Sequence, residues 1–451
     1  MRWLSALLLG LAVATARAEP LTLDAAIERA LESDPRISEM ERWVEAARAL
    51  RQEADAALGV KLEMNSFIGL APAMDGGFFT AEECGNGVSC QVRGDRYDLS
   101  PGLSLWTYLE ARLIKPLYTF GKVAHYRRAA EANIEVKRGD VRLRRGETVL
   151  EVKRAYYGHL TARSTRLFLT SVQERVEGAL ELVEGWLADG EGEASQSDLY
   201  ALQSAREVVS AYVAQARGLE QVSLDGLKVL TGIGLDNELT LAEQGIQPLP
   251  LPEGDLASWQ RRAMAQRPEI AQLEHGLKAR RELVAGKQAM NRPNLYAGVG
   301  GMISYSPRRS RIDNPFVYDV FNDYGSTPLI GLQWSWDPAT TSARVERAKA
   351  QLNALIEKNS FARMGIPFQV AEQYHQVQAY HESMQSLKQG ARAARRWMIS
   401  SYTDFEAGLE TSDKLVTAFQ AYVLAHTEYL KSVFEYNMRV AQLQQVSGAY
   451  Q

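Results

Sequence analysis

The sequence predicts an α+β membrane protein in which each half of the chain contains a long helical hairpin and a pair of β-strands. The first observation behind this prediction is the distribution of the 15 prolines. None lies between Pro116 and Pro248, and after Pro338 only Pro367 follows. Because proline is costly inside a helix, these two stretches are where long helices are predicted. The other two observations are the spacings of apolar residues, which differ between these stretches and the rest of the chain.

The first 18 residues have the pattern of a secretory signal peptide. Arg2 gives a basic start, an apolar run follows from 4 to 14, and Ala16-Arg17-Ala18 is a small-x-small cleavage site. This run is too short to span a membrane as a helix, and no later stretch approaches the roughly 18 apolar residues that a spanning helix needs. The sequence therefore predicts export and removal of residues 1–18.

The composition excludes several classes of function. The 451 residues include 51 Lys and Arg against 55 Asp and Glu, which is not the basic footprint of a nucleic-acid-binding protein. The two cysteines form no zinc-ligand pattern and the six histidines share no ligand spacing, so we expect neither a metal site nor a cofactor. The sequence shows neither a Ser-His-Asp arrangement nor a phosphate-binding loop, and we expect that the chain is not an enzyme.

Apolar residues in the two proline-poor stretches recur with a period near 3.5 residues. The series are Val172, Val176, Ala179, Val183 and Trp186, and Val416, Phe419, Val423, His426, Leu430 and Val433. This period is typical of helices that pack as coiled coils. Each stretch is predicted to hold a helix of about 60 residues, a turn and a returning helix, and about 60 residues would span roughly 90 Å.

The proline-rich remainder alternates with a period of two, which predicts four strands at 60–70, 103–117, 295–305 and 329–336. Their aromatic residues include Trp106, Tyr108, Trp334 and Trp336. Strands of about ten residues with an apolar outer face and aromatic ends indicate a transmembrane β-barrel. Four strands cannot close a barrel, so several chains would have to share one. A soluble β-sandwich would also alternate, and it remains an alternative for these segments.

The order of these predicted elements occurs twice. Pro35 and Pro268 mark equivalent positions 233 residues apart (268 − 35), and beyond the strands the spacing falls to 216. Pairs at that spacing are Gly192 with Gly408, Leu227 with Leu443, and Gly232 with Gly448. We therefore predict a tandem duplication, with a first repeat at 19–234, a proline-rich linker at 235–256 and a second repeat at 257–451.

Three motifs resemble the TolC-like outer-membrane efflux protein family, also called the outer membrane factors. They are Leu21-Thr22-Leu23-Asp24-Ala25-Ala26, Phe405-Glu406-Ala407-Gly408-Leu409-Glu410-Thr411, and Tyr436-Asn437 followed by Leu443 and Gly448. The resemblance implies a homotrimer in the outer membrane of a Gram-negative bacterium. Three chains would share a twelve-stranded β-barrel, and their helices would form a coiled-coil tunnel in the periplasm.

The resemblance also implies a function and partners. The trimer would passively conduct substrates from the periplasm to the exterior as part of a tripartite efflux pump or a type I secretion system. Its partners would be a periplasmic adaptor protein, an inner-membrane pump or ABC transporter, and outer-membrane lipid. A soluble periplasmic coiled-coil spacer or adaptor protein is the alternative. Pro367 interrupts a predicted long helix whose counterpart position in the first half is Glu151, and a kink is predicted there.

The turns between the long helices are the candidate functional site. By the resemblance, the residues expected to dock an adaptor are Gly192, Ser195, Asp198, Phe405, Gly408, Leu409 and Thr411. A candidate acidic ring at the tunnel entrance consists of Asp189, Glu191, Glu193, Asp404, Glu406, Glu410 and Asp413. Alternatively, the carboxylates at these turns are solvated or cap the returning helices.

Two loops complete the predictions. Cys84 and Cys90 are expected to form a disulfide in an oxidising compartment. The segment 306–327 contains three arginines and several aromatic residues, and on a barrel it would be an extracellular loop. It could fold over the pore or lie disordered at the surface, and both alternatives are open at this point.

Overall fold

The computed structural model describes residues 20–76, 97–189, 194–312 and 318–449, and the predicted signal peptide lies outside them. The first half of the chain forms α1 (Leu23–Ser33), α2 (Pro35–Ala56), β1 (Lys61–Gly76), β2 (Tyr97–Tyr118), α3 (Lys122–Asp189) and α4 (Gln196–Leu230). The second half forms α5 (Leu256–Gln266), α6 (Pro268–Gln288), β3 (Asn294–Tyr305), β4 (Asp323–Gln333), α7 (Pro338–Glu406) and α8 (Ser412–Val446), with a short 3-10 helix at Ala289–Asn291. Helices and strands follow each other in the same order in both halves.

The predicted long helical hairpins are confirmed. The helices α3 and α7 have 68 and 69 residues, and the returning helices α4 and α8 have 35 residues each. At Pro367, where the sequence predicts a kink, α7 continues as one helix. In the part of the chain that the structure describes, none of the helices combines the length and the apolar character needed to cross a membrane.

The structure divides into two compact units. One unit comprises the described residues of 20–43, 137–273 and 358–449, and the other comprises those of 44–136 and 274–357. We refer to them as the helical unit and the sheet unit and describe each separately.

The helical unit is held together by the predicted apolar seams. Val172, Val176, Ala179 and Val183 are completely buried, and Phe419, Leu430 and Val433 on α8 are at most 7% exposed. Burial of a Val, Leu or Phe side chain stabilises a fold by about 1.5–3 kcal/mol, so these seams account for much of the packing energy of the hairpins.

The segment between α4 and α5 packs onto the helical unit through the side chain of Asn437, which is 0% exposed. Its amide nitrogen donates to the carbonyl of Gln247 at 2.8 Å, and its amide oxygen accepts from the backbone N–H of Leu249 at 2.9 Å. A buried amide with both groups paired avoids the cost of unsatisfied polar atoms. This explains the asparagine of the Tyr436-Asn437 motif: it binds the backbone of the connecting segment.

Each returning helix ends at a glycine with a left-handed backbone, Gly232 at φ +67° and Gly448 at φ +81°. A Cβ at Gly232 would lie 2.8 Å from the Cβ of Ser33, and a Cβ at Gly448 would lie 2.9 Å from the backbone of Gln266. Ser33 and Gln266 are the last residues of α1 and α5. The two glycines are therefore equivalent in the two halves. Only glycine allows both the left-handed turn after the returning helix and the close contact with the end of α1 or α5.

A buried carboxylate fixes the break between α1 and α2. Asp34 is 5% exposed and accepts hydrogen bonds from the Nε and Nη2 of Arg36, both at 2.9 Å, and from the Thr148 hydroxyl at 2.6 Å. Arg36 also pairs with Glu151 at 2.6 Å. Burial raises the pKa of Asp34, but the hydrogen bonds from Arg36 and Thr148 outweigh burial and lower the pKa to about 2.

We predict that Asp34→Asn lowers the free energy of unfolding by up to about 2 kcal/mol at pH 7, since one unit of pKa shift corresponds to roughly 1.4 kcal/mol. Because the pKa of Asp34 is lowered, its contribution is complete above about pH 4 and is lost as the pH falls towards about 2. Thermal unfolding of the purified protein at pH 7 and at low pH measures both effects. Asp55→Asn, which removes a carboxylate that is 41% exposed, is the control. An equal loss at both pH values would contradict the prediction.

The sheet unit contains one antiparallel sheet with the strand order β1-β2-β3-β4. The four predicted strands and their two hairpins are confirmed. The prediction of the fourth strand at 329–336 is wrong at both ends, because β4 covers Asp323–Gln333. The last pair of the β3–β4 ladder is Asn294 with Gln333, so residues beyond Gln333 have no partner strand. Trp334 and Trp336 therefore follow the strand.

The two faces of the sheet differ sharply. One face, which we term the apolar face, carries large apolar side chains that are 45–77% exposed: Leu62, Met64, Ile68, Leu70, Leu103, Leu105, Leu113, Val299, Ile303, Tyr305, Tyr324, Ile330 and Leu332. The opposite, polar face carries Lys61, Glu63, Asn65, Glu110 and Arg112. The predicted barrel aromatics Trp106 and Tyr108 lie on the polar face, where Phe67 contacts both rings at 4.8–4.9 Å between centroids.

Candidate functional site

At the turn between α7 and α8, helix α7 ends in a backbone arrangement that requires a glycine. The N–H of Gly408 donates to the carbonyl of Phe405 at 2.9 Å, and the N–H of Leu409 donates to the carbonyl of Asp404 at 2.8 Å. Gly408 has a φ of +71°, as this Schellman arrangement requires. The side chain of Leu409 does not fold back onto the helix but is 80% exposed. The turn thus displays one large apolar side chain on a helix end that two backbone hydrogen bonds close.

A buried apolar core lies beneath this turn. Phe405 is 3% exposed, and its ring centroid lies 5.4 Å from that of Trp186 on α3. Leu415 in the first turn of α8 is completely buried in the same cluster. Of the residues predicted to dock an adaptor, Phe405 therefore supports the turn from inside, whereas Gly408, Leu409 and Thr411 lie at its surface.

The start of α4 is fixed by a capping box, a reciprocal pair of side-chain and backbone hydrogen bonds. The Ser195 hydroxyl accepts from the backbone N–H of Asp198 at 3.3 Å, and the Asp198 carboxylate accepts from the backbone N–H of Ser195 at 2.7 Å. Helix capping is one of the alternatives predicted for the acidic residues at the turns, and for Asp198 the structure shows capping. Gly192, Glu191 and Glu193 lie outside the described residues, as do Cys84 and Cys90.

One side chain joins the two turns. The hydroxyl of Ser412, which is 3% exposed, donates to the Oδ1 of Asp198, while Oδ2 receives the hydroxyl of Ser195 at 2.6 Å. Partial burial raises the pKa of Asp198, but the hydrogen bonds from Ser195 and Ser412 outweigh it and hold the pKa below its ordinary value. Asp198 is therefore ionised at neutral pH and links α4 to α8.

The remaining acidic residues at the turns fall into three groups. Asp189, Glu406 and Asp413 are exposed, and Asp404 is half-buried. Glu410 pairs with Lys414 at 3.2 Å, which offsets its charge. A hydrogen bond from the Thr411 side chain lowers the pKa of Asp413. In the described part of the chain, no group of His, Cys, Asp and Glu residues is arranged to hold a metal ion.

The contact between Ser412 and Asp198 could not be predicted from the sequence. The N-cap of α8 is Thr411, and the hydroxyl of the next residue, Ser412, binds the other turn. A small hydroxyl residue in the first turn of a helix is an ordinary capping signal. Only the packing of α4 beside α8 shows that its partner is a carboxylate 214 residues away.

Comparison with known proteins shows which proteins this chain resembles. The family model for outer membrane efflux proteins matches residues 259–449. The alkaline protease secretion protein AprF of Pseudomonas aeruginosa is 24% identical over 346 residues, covering 74% of this chain and 68% of AprF.

Solved structures agree on the fold. The outer-membrane channel OprN superposes with a TM-score of 0.73 at 17% identity, covering 95% of this chain and 90% of OprN. The outer membrane protein VceC of Vibrio cholerae gives a TM-score of 0.72 at 13% identity, covering 94% of this chain and 96% of VceC. The MtrE channel of Neisseria gonorrhoeae gives 0.72 at 15% identity, covering 94% of this chain and 88% of MtrE.

The chain has the fold of these outer-membrane channels. The chain carries the outer membrane efflux protein domain in its second half, and the resemblance to the TolC-like family is confirmed. The predicted fold class is confirmed in this chain as long helical hairpins and a four-stranded antiparallel sheet, the arrangement found in these channel structures.

We predict that Asp198→Ala loosens both turns, because it removes the capping box and the acceptor of Ser412. Loss of a helix cap costs about 1 kcal/mol, and amide hydrogen exchange at residues 195–199 and 411–413 should accelerate several-fold. Since the pKa of Asp198 is lowered, the difference from the wild type is present above about pH 4 and disappears as the pH falls through the lowered pKa. Asp189→Ala, at the exposed end of α3, is the matched control. Equal exchange in both variants would refute the role of Asp198.

Proposed function

We propose that the chain forms a homotrimeric outer-membrane channel that passively conducts substrates from the periplasm to the exterior. It would work in a tripartite efflux pump or a type I secretion system, with a periplasmic adaptor and an inner-membrane pump or ABC transporter as partners. The chain itself would carry out no catalysis, and the inner-membrane partner would supply the energy. The similarity to AprF, a secretion protein, supports the secretion system as one setting.

The apolar face and the open edges of the sheet are the main support for this proposal. Its apolar face exposes a continuous set of large side chains, which in water would be strongly unfavourable and in lipid would be favourable. The outer edges of β1 and β4 have no partner strand in the described chain. Because unpaired backbone groups are costly in a bilayer, the edges must pair with other chains. Three copies of four strands would give a closed barrel of twelve.

The helical unit supports association with further copies. Helix α4 carries exposed apolar side chains along its length: Tyr200, Val208, Tyr212, Leu219, Val222 and Val229, each 47–69% exposed. An apolar stripe of this length on a helix is typical of a surface that packs against another chain. The tandem duplication, with repeats at 19–234 and 257–451 and a linker at 235–256, would then place two hairpins from each of three chains around one tunnel.

The turns are the proposed docking site for the adaptor. Leu409 displays an apolar side chain on a glycine-closed turn, and Asp198 with Ser195 and Ser412 holds the neighbouring turn beside it. A rigid apolar anchor within a polar rim is the arrangement that protein–protein interfaces use. Asp189, Asp404, Glu406 and Asp413 would contribute to an acidic ring at the entrance, whereas Glu410 is offset by Lys414.

We predict that the protein fractionates with the outer membrane as a trimer and forms ion-conducting channels in planar bilayers. Ile68→Arg, on the apolar face, should abolish assembly into the membrane, since an arginine in the lipid-facing band of a barrel costs about 2–4 kcal/mol. Asn65→Arg, on the polar face of the same strand, is the matched control and should assemble normally. Recovery of the wild type in the soluble periplasm would sink the channel proposal in favour of the soluble coiled-coil alternative.

We predict that replacing Asp404, Glu406 and Asp413 together with alanine reduces cation selectivity, because nine carboxylates would be removed from the entrance of a trimer. The reversal potential in a salt gradient across a planar bilayer measures this. Glu53→Ala, an exposed carboxylate on α2, is the control and should leave the reversal potential unchanged. An unchanged reversal potential in the triple variant would remove the acidic-ring proposal and leave the channel standing.

A further inference from the structure

The segment that joins β3 to β4 folds back across the polar face of the sheet. We term its described residues, 306–312 and 318–322, the strap. The backbone N–H of Arg308 donates to the Ser104 hydroxyl on β2 at 3.0 Å. On β1, the N–H of Met74 donates to the carbonyl of Arg308 at 3.3 Å, and the N–H of Ser310 donates to the carbonyl of Met74 at 2.8 Å. The strap therefore crosses β2 and reaches the far edge of the sheet.

Two polar side chains tie the arms of the strap together. The Asp319 carboxylate, which is 4% exposed, accepts from the backbone N–H of Ile312 at 2.9 Å and from that of Phe321 at 3.0 Å. The Asn322 side chain accepts from the N–H of Ser306 at 2.7 Å and donates to the carbonyl of Arg309 at 2.7 Å. The strap is thus an ordered structure with its own internal hydrogen bonds.

Arg309 lies at the centre of this structure, with a side chain only 9% exposed. Its Nη1 donates to the carbonyl of Pro72 on β1 at 3.2 Å, and its guanidinium lies 4.4 Å above the ring of Phe321. That ring in turn contacts Trp106 on β2 at 4.9 Å between centroids. Arg309 therefore connects one arm of the strap to the other arm and to the sheet.

We propose that the strap narrows the outer exit of the channel and that Arg309 is the positioning residue that holds it there. This inference rests on the proposed function. If the apolar face contacts lipid, the polar face lines the lumen, and the strap crosses that face at the ends of the strands opposite those that lead into α3 and α7. Three straps would then project into one exit and limit the conductance and the size of what leaves.

The contacts that hold the strap leave two buried polar groups without hydrogen-bond partners in the described chain. Such groups favour movement of the strap away from the sheet. The Nε of Arg309 lies 3.9 Å from the Oδ1 of Asp319, beyond hydrogen-bond reach, and both this Nε and the Ser306 hydroxyl are buried without a partner in the described chain. Unsatisfied buried groups raise the free energy of the closed state. Opening would expose them to water and recover part of that cost.

Arg309→Ala tests the proposal in planar bilayers. Single-channel conductance should rise by about twofold or more, and the channel should admit larger poly(ethylene glycol) molecules, because the lumen is widened at its narrowest polar section. Arg308→Ala is the matched control, since Arg308 is exposed and binds the sheet through its backbone. Arg309→Lys keeps the charge but loses the planar guanidinium, so its conductance should lie between that of the wild type and that of Arg309→Ala.

Asp319→Asn provides a second variant in case Arg309→Ala fails to assemble, and the same rise in conductance is expected. Rises in either variant, with Arg308→Ala unchanged, would support the strap as the limiting section. Wild-type conductance and polymer exclusion in assembled trimers of Arg309→Ala or Asp319→Asn would overturn the strap inference and leave the channel intact. If assembled wild-type trimers formed no channels, the proposed function would fail, and the strap inference with it.

Discussion

The open edges of the four-stranded sheet are the constraint on which the other features depend. β1 and β4 each present a row of backbone N–H and C=O groups to whatever lies beside them, and the apolar face directs the sheet into lipid. A bilayer provides no water to satisfy those groups, so the edges must be paired by further chains. The proposed trimer thus follows from backbone hydrogen bonding. The proposed lumen, and the proposed role of the strap at its exit, require that the sheets of several chains close into a barrel.

In the helical unit, the portions of α3 and α7 that it contains must stay in register with α4 and α8. Apolar seams with a period of 3.5 provide the attraction but permit sliding, since similar residues recur along each helix. The ends supply the register. Gly232 and Gly448 bring the returning helices against the ends of α1 and α5, and Asp198 with Ser412 joins the opposite turns. The contacts at the helix ends therefore set the register of the helices, which the repeating apolar contacts along their length do not set.

The prediction of elements succeeded where a strong periodic pattern coincided with proline placement. Long helices follow from the proline-poor stretches, and three of the four strands follow from alternation over ten or more residues. The fourth strand was misplaced because the half of β4 from Asp323 to Pro328 contains glycine, serine, threonine and proline, so its alternation is weak. Trp334 and Trp336 continued the apolar pattern past the strand, but β3 begins at Asn294 and offers no partner beyond Gln333.

The sequence by itself determined the duplicated order of elements, the periods of the helices and strands, and the turn motifs, because these depend on neighbouring residues. Tertiary structure alone decided which face of the sheet Trp106 occupies, that the segment after β3 covers the polar face, and that Asp198 binds Ser412. These features depend on pairs of residues that lie far apart in the chain. No local pattern records such a pair, because the partners meet only after strands have paired and helices have packed.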